Sequence, residues 1–151
     1  MIRGHQFNKV EMVQYTTEDQ SDAAFEELVG KAERLVQELG LHYRLSKLAA
    51  GDCSFSMART YDIEVWIPSM GIYKEVSSAS NARDYQARRG NVKYRGADKK
   101  LHLAHTLNAS GLATSRVIPA IVEQYQNDDG SVTVPEVLRP YLGIDRIEKQ
   151  R

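Results

Sequence analysis

Residues 61–81 constrain the fold more than any other stretch of the chain. At the start of the stretch apolar and polar side chains alternate, with Ile63, Val65 and Ile67 on one face, which is the two-residue period of a strand with one buried face. The connection at residues 68–71 begins with proline and ends with glycine, and apolar side chains resume after it. The stretch therefore predicts a β-hairpin.

The predicted register of this hairpin brings two acids together. If the connection is a simple hairpin loop, Ile67 lies opposite Ile72 and Glu64 lies opposite Glu75, with Ser77 on the same polar face as Glu75. Opposed side chains have Cβ atoms about 5 Å apart, and two carboxylates at that spacing repel each other by roughly 3 kcal/mol at an effective dielectric near 20. The pair indicates a bound cation or a shared proton. Two exposed acids that splay apart into water would also explain it.

The composition is that of an ordinary globular domain with no global charge. The 151 residues are enough for one domain with a core, and the 20 basic and 20 acidic residues balance. Any nucleic-acid or membrane surface must therefore be local. The single cysteine excludes an internal disulfide and indicates a reducing compartment, and no apolar run is long enough to span a bilayer. We therefore expect a cytoplasmic protein without a membrane segment.

Other segments predict the elements around this hairpin. We expect a strand at residues 6–15, a strand at residues 42–48 and a short strand at residues 102–108. A helix at residues 21–39, with Ser21 as its N-cap, carries an apolar stripe at helical spacing. Such a helix is typically one that covers a sheet.

The last third of the chain predicts a second helix and an extended tail. The helix runs to about residue 126, with Arg116 near its start, and Pro119 should kink it or mark its true first turn. Its predicted buried stripe consists of Ile118, Ile121, Val122 and Tyr125. Residues 132–142 predict an extended, proline-stiffened tail, and the chain should fray from Asp145 onward.

Residues 82–100 are locally basic. Seven lysines and arginines stand against two aspartates in this segment, and Tyr85 and Tyr94 are interleaved with them. The segment could contact the phosphates of a nucleotide or of an RNA end. A solvated, mobile loop would have the same composition, and both interpretations stay open at this point.

Five sets of short motifs follow one another along the chain. They are residues 5–12 (HQFNKVEM), residues 60–68 with 75–78 (TYDIEVWIP and EVSS), residues 85–89 (YQARR), residues 106–113 with Arg116 (TLNASGLA), and residues 134–141 (VPEVLRPY). In this order they resemble the end of motif 2, the central strands, the following loop, motif 3 and the C-terminal signature of seryl-tRNA synthetases, a class II family. The resemblance runs almost from end to end.

The resemblance implies a fold and a reaction. The fold is α+β, an antiparallel sheet backed by helices, with residues 1–151 forming a single partial class II synthetase catalytic domain. In the reaction ATP and L-serine give seryl-adenylate, and the serine then passes to the 3′ end of tRNA(Ser), with Mg²⁺ on the ATP.

The resemblance also implies roles for individual residues. Arg116 would clamp the γ-phosphate and, with Glu75, would be catalytic, while Phe7 would stack on adenine and Glu11 would hold the serine ammonium group. The implied ATP set is Gly4, Phe7, Glu75, Val76, Ser77, Ser78 and Arg116. The implied serine set is Glu11, Asn108 and Ser110. The implied Mg²⁺ ligands are Glu75, Ser78 and Glu64.

Several family elements have no counterpart in these residues. They are motif 1, the Phe-Arg-x-Glu half of motif 2, the Thr-x-Glu serine loop and the N-terminal coiled-coil arm. We therefore expect a fragment or truncated homologue whose isolated chain adenylates serine weakly or not at all, and which could form a homodimer or pair with the missing half. Two alternatives remain: a non-catalytic interaction or regulatory module that binds a partner through bare strand edges, and a short homologue that aminoacylates a carrier protein.

Overall fold

The computed structural model describes residues 2–149 as an antiparallel sheet with helices packed on one face. The main sheet has five strands in the order β1-β7-β4-β3-β2. The elements are β1 (Lys9–Thr16), α1 (Ser21–Glu38), β2 (Tyr43–Lys47), β3 (Arg59–Ile67), β4 (Ile72–Asn81), α2 (Tyr85–Gly90), β5 (Lys93–Arg95), β6 (Leu101–Leu103), β7 (His105–Ala113), α3 (Thr114–Gln124), β8 (Val132–Thr133), α4 (Arg139–Leu142) and β9 (Arg146–Ile147), with 3₁₀ turns at Pro68–Met70 and Glu136–Leu138. This is the α+β arrangement that the sequence predicts.

The core lies between the sheet and two helices. Helix α1 packs against β7 and β4, and α3 packs against β3 and β4. Ile63, Val65 and Ile67 are fully buried, as their alternation predicts, and Phe25 of α1 is buried among them. None of the described helices is long and apolar enough to cross a membrane. The opposite face of the sheet carries the Glu64–Glu75 and Asp62–Ser78 pairs.

The hairpin has the predicted register with one bulge. Ile67 pairs with Ile72 and Glu64 pairs with Glu75, which confirms the predicted pairing of the two acids. The register shifts between Ile63 and Glu64, because β4 contains one extra residue there. Ser77 therefore faces the core and is buried, and the prediction that it shares the polar face with Glu75 is wrong.

The start of helix α1 differs from the prediction. Ser21 is the first helical residue, Gln20 is the N-cap, and no described side chain caps the helix. The amide of the buried Asn81 donates instead to Ser21 Oγ at 2.9 Å. The serine therefore ties the helix to the sheet, and its predicted capping role is wrong.

Helix α3 buries a different stripe from the predicted one. Val117 and Ala120 are its buried residues, and Ile118 and Val122, both predicted to be buried, are exposed. The buried side of the helix is therefore displaced by one residue from the side that the apolar pattern predicts. Ile121 and Tyr125 of the predicted stripe are partly buried against the core, and Pro119 lies inside the helix.

Two segments are more regular than predicted. Residues 82–100 contain α2 and the first strand of the β5–β6 hairpin, so they are not a structureless loop. The predicted extended tail at residues 132–142 contains a 3₁₀ turn and α4. The sequence predicts fraying from Asp145 onward, but Arg146 and Ile147 form β9, which pairs with β8. Residues 150–151 of that prediction lie outside the described residues. A hydrogen bond of 2.8 Å from Val134 N to Asp145 O closes this small unit.

Truncation of the α1 core side chain tests this packing. Phe25 is 0% exposed and its ring stacks on Tyr61 at 5.8 Å, whereas Phe55 is 89% exposed. We expect Phe25→Ala to lower the free energy of unfolding by about 3–5 kcal/mol, since it leaves a cavity. Phe55→Ala should change it by less than about 0.5 kcal/mol. Urea unfolding of both variants measures the difference, and equal losses would contradict the assignment of Phe25 to the core.

Candidate active site

A cavity of about 290 Å³ lies where β4 bulges, beside the end of β7 and the start of α3. Its walls come from three parts of the chain that are far apart in sequence, at residues 2–9, 75–76 and 110–116. The lining residues are Ile2, Arg3, Gly4, Phe7, Lys9, Glu75, Val76, Ser110, Ala113, Ser115 and Arg116. The cavity therefore combines an aromatic ring, three cationic side chains and a carboxylate.

Arg116 is fixed at the wall of this cavity by three contacts. Its position in the first turn of α3 directs it toward the β4 bulge, where Nη1 donates to Glu75 O at 2.7 Å and lies 3.5 Å from Glu75 Oε2. Nε donates to the backbone oxygen of Ile2 at 3.2 Å. The arginine and Glu75 thus face one another, as the hairpin register and the position of motif 3 together predict.

Three acids share the polar face of the hairpin near this point. Asp62 pairs with Ser78 across the strands, and Glu64 pairs with Glu75, so the bulge puts Ser78 on the same face as Glu75. The Ser78 hydroxyl donates to Asp62 Oδ1 at 2.6 Å. Burial raises the pKa of Asp62 above its ordinary value. The hydrogen bond from Ser78 opposes this shift, the charges of Glu75 and Glu64 add to it, and the charge of Arg116 also opposes it.

Glu64 has a cation beside it within the protein. Arg44 Nε lies 2.5 Å from Glu64 Oε2, and its guanidinium also lies over the Tyr73 ring at 4.4 Å from the centroid. Trp66 contacts the same ring, with centroids 5.1 Å apart. The repulsion between the paired acids is therefore balanced by Arg44 on one side and Arg116 on the other.

The described residues offer few protein ligands for a metal ion. Within residues 2–149 no group of three or more His, Cys, Asp or Glu side chains is placed to hold one. The role of Glu64 as a Mg²⁺ ligand stays a prediction.

The predicted serine-binding residues lie together on β1 and β7. Glu11 pairs with Ser110 across these strands, and Asn108 Nδ2 donates to Glu11 Oε1 at 2.8 Å. Lys9 Nζ lies 3.1 Å from Glu11 Oε2, next to a register shift in β1. A carboxylate held by an amide and an ammonium group therefore stands beside the cavity that Ser110 lines.

The structure brings some of the predicted site residues to the cavity and keeps others nearby. The predicted residues that line it are Gly4, Phe7, Glu75, Val76, Ser110 and Arg116. Ser77 is buried behind the wall and donates to Ser110 O at 2.7 Å. Ser78, Glu64, Glu11 and Asn108 lie outside the lining, on the polar face of the sheet.

The site also contains residues that sequence reasoning missed. Arg3, Lys9 and Ser115 line the cavity, and Asp62 holds Ser78. The only sequence signal at Lys9 is a cation next to an anion on one face of a predicted strand. Arg3 lies in no periodic pattern. Asp62 belongs to the alternation of the first hairpin strand, but the bulge that pairs it with Ser78 leaves no signal in the sequence.

Comparison with known proteins identifies the family. Residues 1–125 match the family model described as tRNA synthetase class II core domain (G, H, P, S and T). The chain belongs to the class II tRNA synthetase core family. Within this family, it is 72% identical over 148 residues to serine–tRNA ligase 2 of Clostridium acetobutylicum, a match that covers 97% of this chain and 35% of that protein. It is 57% identical over 147 residues to the serine–tRNA ligase of Thermosipho melanesiensis, covering 97% and 35%.

Solved structures agree with this class II assignment. The seryl-tRNA synthetase of Pyrococcus horikoshii complexed with ATP is 43% identical with a TM-score of 0.95, covering 99% of this chain and 34% of that one. The cytoplasmic serine–tRNA ligase of Naegleria fowleri in complex with AMP is 38% identical with a TM-score of 0.91, covering 99% and 36%. The predicted class II fold and the resemblance to seryl-tRNA synthetases are confirmed. The chain spans about a third of the length of the curated relatives it matches.

The raised pKa of Asp62 predicts how the stability of the folded chain changes with pH. The folded chain holds this proton more tightly than the unfolded chain, so the stability it contributes is full below the ordinary pKa of 3.8 and is lost as pH rises through the raised pKa. Asparagine stays neutral and still accepts the Ser78 hydroxyl. We expect Asp62→Asn to be at least as stable as the parent at pH 7, with any advantage vanishing as pH falls toward 3.8. Urea unfolding in metal-free buffer across this range measures the effect.

Asp84→Asn is the matched control, and its expected effect on stability at pH 7 has the opposite sign. A hydrogen bond from Arg88 lowers the pKa of Asp84, so the stability from its charge is present above the ordinary pKa and is lost as pH falls. This variant should be less stable than the parent at pH 7, because it loses the ion pair with Arg88. The loss should be small, because the pair is exposed. An Asp62→Asn variant that also loses stability at pH 7 would contradict the conclusion that burial disfavours the charged form of Asp62.

Proposed function

We propose that this chain supplies the ATP and L-serine sites of a serine–tRNA ligase, which activates serine to seryl-adenylate and transfers it to tRNA(Ser) in the cytoplasm. The observation that carries the proposal is Arg116, anchored beside Glu75 in a cavity where the predicted ATP residues meet Ser110 of the serine set. The identity to serine–tRNA ligases and the likeness to the Pyrococcus horikoshii synthetase, which is complexed with ATP, support it.

The cationic wall of the cavity suits a triphosphate. Arg116, Arg3 and Lys9 all line it, and the exposed ring of Phe7 offers a surface for adenine stacking. Negative charge builds on the departing pyrophosphate during adenylate formation, so fixed cations stabilise the transition state. Arginine suits this role because its planar fork of donors matches phosphate oxygens.

Glu75 and Ser78 fit a Mg²⁺ ion carried by the nucleotide. Protein sites for this ion commonly use one or two carboxylates together with substrate phosphates. The Ser78 hydroxyl donates its hydrogen to Asp62, so its lone pairs remain available to a cation. The bound ion would neutralise charge on the phosphates.

The β1–β7 surface fits the amino acid. The Glu11 carboxylate would accept the serine ammonium group, with Asn108 and Ser110 beside it. Asn108 already donates to Glu11, which holds the carboxylate in one orientation. Buried polar groups that bind the serine hydroxyl would reject alanine, because alanine leaves them unpaired.

A second candidate function rests on the edge of the sheet. Among the described strands β1 pairs with β7 alone, and Val10, Val13 and Tyr15 are exposed along it. An exposed apolar edge strand is a site for pairing with another strand. A homodimer, a complex with the rest of a catalytic domain, or a non-catalytic interaction module would each use this edge.

Removal of the Arg116 guanidinium tests the ATP site. We expect Arg116→Ala to weaken ATP binding by about tenfold to a hundredfold, since a hydrogen bond to a charged group contributes about 1.5–3 kcal/mol. Isothermal titration calorimetry measures the affinity. Arg34→Ala removes an exposed arginine of α1 and should leave ATP binding unchanged. Equal affinities for the parent and Arg116→Ala would overturn the assignment.

The catalytic capacity of the isolated chain is a separate question. The Phe-Arg-x-Glu element of the family, whose arginine holds the α-phosphate, has no counterpart in the 151 residues. We therefore expect serine-dependent ATP–pyrophosphate exchange by the isolated chain to be weak or absent, even where ATP binds. Exchange at the rate of a complete seryl-tRNA synthetase would contradict this expectation.

A further inference from the structure

The basic segment at residues 82–100 carries charge that the proposed active site does not use. Seven lysines and arginines stand there against two aspartates, in a chain whose formal net charge is zero. Both aspartates are paired close by: Asp84 binds Arg88, and Asp98 lies 2.9 Å from His102 Nε2. The segment itself therefore carries an excess of positive charge.

The segment is held in place by backbone hydrogen bonds. Ala82 N donates to Thr106 O at 3.0 Å, and Thr106 N donates to Arg83 O at 2.9 Å, which ties the start of the segment to β7. Val92 N donates to Ala87 O at 3.0 Å, and Ala87 is fully buried. Helix α2 therefore presents its outer side chains from a fixed backbone.

The outer face of α2 combines an aromatic ring with two arginines. Tyr85, Arg88 and Arg89 stand at i, i+3 and i+4, on the side opposite the buried Ala87, and all three are exposed. The charge of Arg88 is partly used by Asp84, while Arg89 has no salt-bridge partner among the described residues. One ring and at least one available guanidinium thus share a single helical face.

A second ring from a distant loop extends this face. Phe55 is 89% exposed, and its ring lies edge-on to Tyr85 with the centroids 6.0 Å apart and the planes at 87°. Tyr85 is itself 45% exposed. The two rings therefore form one exposed aromatic surface, on which an unpaired base could stack.

We propose that Phe55, Tyr85, Arg88 and Arg89 form a binding surface for a single-stranded polynucleotide. Unpaired bases stack on exposed aromatic rings, and guanidinium groups bind the phosphates that flank them. None of the four residues lines the cavity assigned to ATP. The surface is therefore distinct from the proposed active site, and its binding does not depend on adenylation.

The test is fluorescence anisotropy with a labelled single-stranded oligoribonucleotide of about a dozen nucleotides, a length within the range that single-strand binding surfaces cover. The double variant Phe55→Ala/Tyr85→Ala should weaken binding by about tenfold or more. Arg89→Ala should reduce the slope of log affinity against log salt concentration by about 0.7, the value for one phosphate contact on a single strand.

Two matched control variants distinguish binding at this surface from non-specific binding elsewhere on the protein. Tyr141→Ala removes a tyrosine that is 85% exposed on α4, and Arg34→Ala removes an exposed arginine of α1. Neither should change the affinity or the salt slope. Circular dichroism should show that Phe55→Ala is as stable as expected, which excludes a folding defect. The double variant should bind ATP as the parent does, which separates this proposal from the one for the cavity.

Each remaining outcome decides the proposal. Equal binding of the matching oligodeoxyribonucleotide supports a surface for single strands in general, and preference for the ribose form supports an RNA surface. Absence of binding to both at low salt overturns the proposal, as does a double aromatic variant that binds like the parent. Binding of polyglutamate as tightly as the oligonucleotide at equal charge concentration would also overturn it, because the aromatic rings would then contribute nothing.

Discussion

The contact between Arg116 and the β4 bulge connects the parts of the chain that build the cavity. The guanidinium binds the backbone oxygens of Glu75 and Ile2, which are 41 and 114 residues away in sequence. The bulge matters equally, because one extra residue turns Ser77 into the core and leaves Glu75 and Ser78 on the same face. In a regular strand Glu75 and Ser78 would point to opposite sides of the sheet. The chemistry of the site therefore depends on a local irregularity fixed by a long-range contact.

Charge on the polar face of the hairpin is unevenly compensated. Glu64 lies against Arg44 and Glu75 lies near Arg116, so each of these acids has a neighbouring cation. Asp62 is bonded to a hydroxyl group instead, and burial raises its pKa. The face thus holds one acid that forms no salt bridge with another described residue. A cation bound by Glu75 and Ser78 would supply a positive charge next to it.

The sequence predicts the fold where burial alone decides it. The alternation in β3 fixes the hairpin register, since a slip of one residue would expose Ile63, Val65 and Ile67. The errors arise where a long-range partner overrides a local signal. Ser21 is of a residue type that often caps a helix, but it binds Asn81 instead. The apolar pattern of α3 does not show which side of the helix the sheet will cover.

The candidate site divides in the same way. The resemblance to seryl-tRNA synthetases points to Phe7, Glu75 and Arg116, which line the cavity. Asp62 belongs to the site because of the strand register, and Arg3 because of the path of the chain. No short sequence motif encodes the register or the path.

The corner formed by Arg44, Glu64 and Tyr73 has one more consequence. Trp66 packs against Tyr73 there, and it is the only tryptophan in the sequence. Excitation of the indole therefore reports on a single place, and that place adjoins the acids of the polar face. The protein therefore carries one indole fluorophore, next to the strand pair that holds Glu64 and Glu75.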